Sequence, residues 1–149
     1  MELTQADFDE LYQTIILDHS RKPRNYGPIE GVHHARGDNP SCGDEIDVFV
    51  KLAENGTIEQ VQFTGQGCAI SQASASLMTQ RVKGLSRADV EKLIESFQKM
   101  ILAPEEPKED DLPKMLGDLR LLKGVRKFPQ RVKCATLAWQ ALKEALTFA

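Results

Sequence analysis

The hydrophobic period changes along this chain, and the change constrains the fold more than any other feature. Ile46, Val48, Val50 and Leu52 alternate with Asp47, Phe49, Lys51 and Ala53. A period of two places one set of side chains on each face of a strand. Asn55-Gly56 follows, a strong hairpin signal, and predicts a second strand over about 57–64. Part of Val32–Arg36 is expected to add an edge strand. On both sides the period is helical. Phe8, Leu11, Tyr12, Ile15 and Ile16 form one apolar stripe, with Thr4 and Asp7 placed to cap it. Past the strands, Gly65-Gln66-Gly67 leads into an Ala- and Ser-rich helix over Ala69–Lys83, stopped by Gly84. Ser86 and Asp89 open the next helix, striped by Val90, Leu93, Ile94 and Phe97. Pro104 to Pro113 is an expected exposed acidic loop, and Leu116–Leu122 an expected short helix. The last helix follows Pro129, with Val132, Ala135, Trp139, Leu142 and Leu146 near one face. The order of helix, strands, then helices predicts an α+β fold. Its small antiparallel sheet of about three strands packs against helices on one face.

A chain of 149 residues is expected to form a single domain over 1–149. Its net charge of −3 argues against a general nucleic-acid binder. No run of 18 apolar residues is present, so no membrane helix is expected. The acidic start, MELTQADFDELYQ, lacks the basic and apolar regions of a signal peptide, which predicts a cytoplasmic protein. Cys42, Cys68 and Cys134 should then be thiols.

The surroundings of the cysteines carry the chemistry. Cys42 lies in Asn39-Pro40-Ser41-Cys42-Gly43-Asp44, a turn in which a thiolate and a carboxylate can reach one small cation. Cys68 follows Gly67 at a helix start, where free N–H groups and the helix dipole favour a thiolate. Cys134 has Arg131 and Lys133 nearby, which favour a thiolate too, although its phase also suits a core position. The spacing shows no C-x-x-C knuckle. Three thiolates and one carboxylate nevertheless make a tetrahedral donor set suited to Zn²⁺. His33 and His34 are neighbours in an extended segment and point to opposite faces, so surface roles are expected for them. His19 is expected at a helix end, in a surface or capping role. Between Leu119 and Lys133 stand Arg120, Lys123, Arg126, Lys127, Arg131 and Lys133 with no acidic residue. That run reads as a solvated face or as a docking surface for an acidic partner.

Several motifs together resemble the IscU/SufU-type iron–sulfur assembly proteins. They are Leu11-Tyr12-x3-Ile16-Leu17-Asp18-His19, Pro23-Arg24-Asn25-x-Gly27, Asn39-Pro40-x-Cys42-Gly43-Asp44, Gly65-x-Gly67-Cys68-Ala69-Ile70-Ser71, and Arg131-Val132-Lys133-Cys134-Ala135-Thr136. The similarity covers about residues 8–147. Lys133 stands where IscU scaffolds carry a histidine, and Ala103–Gln130 is a long segment of the kind found in SufU. The resemblance therefore implies an IscU/SufU-like fold and, more closely, a zinc-dependent sulfurtransferase. It implies Cys42, Asp44, Cys68 and Cys134 as zinc ligands, Cys42 as sulfur acceptor, and Arg131 as a residue needed for activity. It further implies a SufS-type cysteine desulfurase as sulfur donor and the SufBCD assembly complex downstream; the charge balance and the lack of a long apolar run predict neither nucleic acid nor membrane as partner. Since a coordinated thiolate attacks poorly, Cys42 has to leave zinc first, and a partner histidine can then fill its place. The rival implied by the same motifs is a scaffold on which a [2Fe–2S] cluster is built, because three Cys and an Asp also ligate iron.

Overall fold

The alternating run becomes the middle of the sheet. The computed structural model describes residues 5–105, 107, 108 and 112–148. In it β1 (His33–Asn39), β2 (Asp44–Leu52) and β3 (Ile58–Gln66) form an antiparallel sheet in that order. Asp44, Ile46, Val48 and Val50 lie on the buried face. Ile58, Val61 and Phe63 join them from β3. Their uneven spacing follows from a register shift opposite Lys51 and Leu52, where one extra residue of β3 resets the alternation. The Asn55-Gly56 turn forms as expected: Ala53 N–H donates to the Thr57 carbonyl at 2.8 Å, and Gly56 takes φ +86°.

The edge strand runs further than the sequence predicts. Gly37, Asp38 and Asn39 are poor strand formers, yet they pair with Ile46, Glu45 and Asp44. A Cβ at Gly37 would lie 2.9 Å from Cδ1 of Leu137. The glycine is there because the last helix crosses the strand at close range.

Among the described residues four α-helices accompany the sheet: α1 (Gln5–Arg21), α2 (Ala69–Val82), α3 (Arg87–Leu102) and α4 (Val132–Phe148). α2 is central and touches α1, α4 and β3. It is buried nearly all round, which is why it has small residues instead of a stripe. Its hydroxyls are used. Ser74 Oγ donates to the Ala135 carbonyl at 2.6 Å and accepts from Trp139 Nε1 at 3.1 Å, locking α2 to α4. Ser86 caps α3 by accepting from Asp89 N–H at 3.2 Å, and Trp139 stacks on Phe97 at 4.3 Å.

Three expectations need correction here. In α1 the inward face is Tyr12, Ile15, Ile16 and His19, with the Tyr12 ring against Gly124 and His19 against α2, while Leu11 is 41% exposed. The apolar stripe is wider than the face that its neighbours cover. Thr4 and the side chain of Phe8 lie outside the described residues. Residues 114–127 wind mostly as 3₁₀ helix, broken at Gly117 with φ +53°, rather than as one short α-helix. Leu116, Leu119, Leu122 and Val125 are all buried. Their spacing of three is the 3₁₀ repeat, so one side of the segment faces the core throughout. In the preceding acidic loop Pro104 and Glu105 are exposed but Leu112 is buried. Glu106, Glu109, Asp110 and Asp111 lie outside the described residues. Among the described residues no helix is long and apolar enough to cross a membrane.

Candidate metal centre

The hairpin between β1 and β2 builds one wall of the site. Asn39 and Asp44 are the last register pair, and residues 40–43 form the loop between them. Cys42 N–H donates to the Asn39 carbonyl at 3.1 Å, which closes the turn. Gly43 has φ +70° and open space around its Cα, so the loop beside Cys42 is not packed into the core. Cys42 is half-buried there.

Asp44 is 1% exposed and points inward from the first position of β2. Its Oδ1 accepts from the Cys68 N–H at 2.8 Å and from Ser71 Oγ at 3.3 Å. The start of α2 thereby fixes the carboxylate by one oxygen. This approach demands a glycine before Cys68, since a Cβ at Gly67 would lie 2.3 Å from Oδ1 and 2.7 Å from Ser71 Oγ. The other oxygen, Oδ2, is buried with no hydrogen-bond partner. A buried carboxylate oxygen left without a donor is costly.

The third wall is α4. Cys134, its third residue, is fully buried. Ligand atoms of Cys42, Asp44 and Cys134 all lie within 4.8 Å of one another. Cys68 stands at the cap of α2 and reaches the Cys134 thiol, but falls outside that tightest group. The four expected ligands thus meet at one place, three of them closely. The arrangement fits a divalent cation. It offers soft sulfurs, one hard oxygen without a partner, and several groups that repel one another when ionised.

The electrostatics differ from expectation at Cys134. Burial pushes its thiol well above the usual range, and Asp44, Cys42 and Cys68 push the same way. Arg131 and Lys133 do not reverse this: Lys133 is exposed. Arg131 places Nη1 3.6 Å from Cys42 Sγ. Contact with Cys134, and then the charges of Cys68 and Cys42, hold the guanidinium more firmly protonated than usual.

Other residues turn out differently from their sequence readings. His33 and His34 are exposed, as expected. His19 is not: it is 5% exposed, with Nδ1 2.7 Å from Ser76 Oγ on α2. The helix end is overlaid by the Arg24 loop, whose N–H donates to the same Ser76 oxygen at 2.8 Å. The basic run divides: Lys127 and Lys133 are exposed, whereas Arg126 is half-buried and braces the fold. Arg126 donates to the carbonyls of Met100, Ile101 and Ala103 at the end of α3, and Lys127 pairs with Asp9 at 2.7 Å. Two residues near the site were not singled out for it in the sequence. Asn39 donates from Nδ2 to Cys134 Sγ at 3.5 Å. Tyr12 feels Cys68, and its phenol is pushed up to about 12, by burial first and by that sulfur second.

Known proteins resemble this chain over most of its length. Residues 11–135 match the family model of the NifU-like N-terminal domain, a span that includes all three cysteines. The chain is 45% identical to an iron–sulfur cluster assembly scaffold protein IscU of Streptococcus pyogenes, over 95% of this chain and 86% of that protein. It is 43% identical to a zinc-dependent sulfurtransferase SufU of Bacillus subtilis, over 95% of this chain and 92% of that one. A solved structure of an iron–sulfur cluster assembly scaffold protein for the SUF system, from Fervidobacterium islandicum, superposes with a TM-score of 0.81. It is 33% identical, with 92% of this chain and 97% of that one covered. A family match across the whole site, with such identity over nearly the full length, assigns the chain: it belongs to the NifU-like N-terminal domain family, which holds the IscU and SufU iron–sulfur assembly proteins.

Proposed function

We propose that this chain, acting as one domain, is a zinc-dependent sulfurtransferase. Cys42, Asp44, Cys68 and Cys134 hold Zn²⁺, and Cys42 accepts sulfur from a SufS-type cysteine desulfurase. The sulfur then passes towards a SufBCD-type assembly complex. The observation that carries this reading is the inequality of the cysteines. Cys42 and Cys68 are half-buried and Cys134 is fully buried; of the two half-buried thiols Cys68 caps α2, whereas Cys42 lies on a hairpin loop with Arg131 beside it. Zinc, when bound, holds thiolates deprotonated and brings no redox chemistry of its own.

The rest falls to the chain. The Cys42 thiolate attacks the outer sulfur of the donor's persulfide. The donor S–S bond breaks, its cysteine leaves as a thiolate, and an S–S bond forms on Cys42. Sulfur is exchanged without net oxidation, so no further oxidant is needed. Arg131, 3.6 Å from Cys42 Sγ, supplies positive charge beside the anionic sulfur. The loop around Gly43 lets Cys42 move while the helices carrying Cys68 and Cys134 stay packed. The 43% identical Bacillus relative, described as a zinc-dependent sulfurtransferase, supports the reading.

The 45% identical Streptococcus relative supports a second one, a scaffold on which a [2Fe–2S] cluster is assembled on the same donors. One preparation separates the two. Metal content, visible spectrum and stimulation of a cysteine desulfurase are measured together. One zinc per chain, no colour, and stimulation abolished by Cys42→Ser support the transferase. A brown protein that carries iron and sulfide and does not stimulate the desulfurase overturns it in favour of the scaffold.

A further inference from the structure

Asn39 touches two of the cysteines by different means. It ends β1 opposite Asp44 and is 5% exposed. Its backbone carbonyl accepts the Cys42 N–H at 3.1 Å and so fixes the turn. Its side chain points inward, and Nδ2 donates to Cys134 Sγ at 3.5 Å. A hydrogen bond to a thiolate is charge-assisted and draws electron density from the sulfur. The Cys42 sulfur has the half-buried guanidinium of Arg131, on a long side chain, and that guanidinium also touches Cys134. The short, buried side-chain amide of Asn39 goes to Cys134 and not to Cys42. Cys134 is therefore held by that amide besides the flexible arm, and Cys42 by the arm.

We propose that Asn39 is a positioning residue: its Nδ2–H···Sγ bond fixes Cys134 as the retained ligand of the centre and leaves Cys42 as the sulfur free to depart. This rests on the metal centre proposed above and not on sulfur transfer. A buried asparagine that merely closes a turn would affect stability without touching the sulfur's donor strength. The bond predicts more. Removing the donor raises the energy of the sulfur lone pairs, so charge transfer from sulfur to a bound metal should need less energy.

The test uses Co²⁺ loaded into the full chain in place of zinc, with Asn39→Leu, which keeps the branched shape, and Asn39→Ala. The sulfur-to-cobalt charge-transfer band should move to longer wavelength in both variants. Metal affinity should fall by roughly 10–100-fold, as for other lost partners of a ligand. Iodoacetamide followed by mass mapping should show Cys134 modified at a higher rate relative to Cys42 than in the parent. Loss of cobalt binding with an unchanged circular dichroism spectrum supports the proposal equally. A band at the parent wavelength overturns it, even if affinity or stability has dropped. A parent protein that shows no charge-transfer band on cobalt addition refutes the metal centre itself, which is a separate failure.

Discussion

Gly67→Ala tests whether the carboxylate of Asp44 is aimed as the geometry requires. The new Cβ would stand 2.3 Å from Asp44 Oδ1 and 2.7 Å from Ser71 Oγ, where ordinary contact begins near 3.4 Å. The carboxylate has to retreat by about 1 Å. That displacement breaks the 2.8 Å bond from the Cys68 N–H, because hydrogen bonds of this kind do not survive such a stretch. A bond to a charged acceptor contributes about 1.5–3 kcal/mol, and overpacking alone costs about 1–3 kcal/mol. We expect the metal-free protein to lose about 2–4 kcal/mol in urea denaturation. Zinc affinity should fall separately by roughly 10–100-fold, measured in competition with a chromophoric chelator, because Oδ2 no longer points where it did. Gly84→Ala is the control. Its φ is +87° with no atom within 4 Å of the added carbon. It should cost about 1–2 kcal/mol of backbone strain and leave zinc affinity alone. If Gly67→Ala binds zinc as tightly as Gly84→Ala, the argument that α2 aims Asp44 at a metal is wrong.

Three further expectations follow from other contacts. Asp44→Ala removes the unpartnered buried oxygen, so zinc affinity should drop at least about tenfold with the circular dichroism spectrum unchanged; parental zinc affinity and desulfurase stimulation would show that Asp44 is no ligand. Burial, and then Arg24, hold the His19 imidazole below its usual pKa. The unfolded chain therefore takes up a proton below about pH 6.5 that the folded chain does not, and stability is full above that pH and falls as pH drops through it. His19→Gln should lessen that decline in urea titrations between pH 7 and 5, and an identical slope would count against the burial argument. Arg126→Met strips donors from the carbonyls of Met100, Ile101 and Ala103 and should cost about 1–3 kcal/mol while zinc affinity stays the same; an unchanged unfolding midpoint would show that water satisfies those carbonyls equally well.

The sequence made the sheet legible where one strand face alone meets the core. Ile46, Val48 and Val50 alternate because β2 has one buried face, and Asn55-Gly56 marks its turn. The second half of β1 was hidden because Gly37 is dictated by Leu137, a hundred positions along the chain, and not by any local preference. α2 has no apolar stripe because neighbours cover most of its surface, so its burial had to be learned from its contacts. His19 lies at i+3 from Ile16 and i+7 from Tyr12, so the face it shares with them was present in the spacing. Each expected metal ligand was marked by its own surroundings, but the spacing between them carried no sign that they meet. The family resemblance supplied that step, and the hairpin, the head of α2 and the start of α4 supply its physical cause.

The long segment before Cys134 bears on the chemistry through its backbone. Leu122 and Val125 anchor its end in the core. From there Phe128 N–H donates to the Val125 carbonyl at 2.8 Å, and Arg131 N–H to the Phe128 carbonyl at 2.7 Å. A short 3₁₀ turn, Pro129–Arg131, runs directly into α4, so Arg131 and Cys134 are set by one continuous piece of chain. The guanidinium therefore reaches the loop of Cys42 from a base that the core holds. Bracing by Arg126 and Lys127 fixes that base against α3 and α1 without drawing Arg131 into an ion pair of its own among the described residues. A cation set by the same piece of chain as Cys134 suits the proposed release of Cys42, because its charge stays beside that loop.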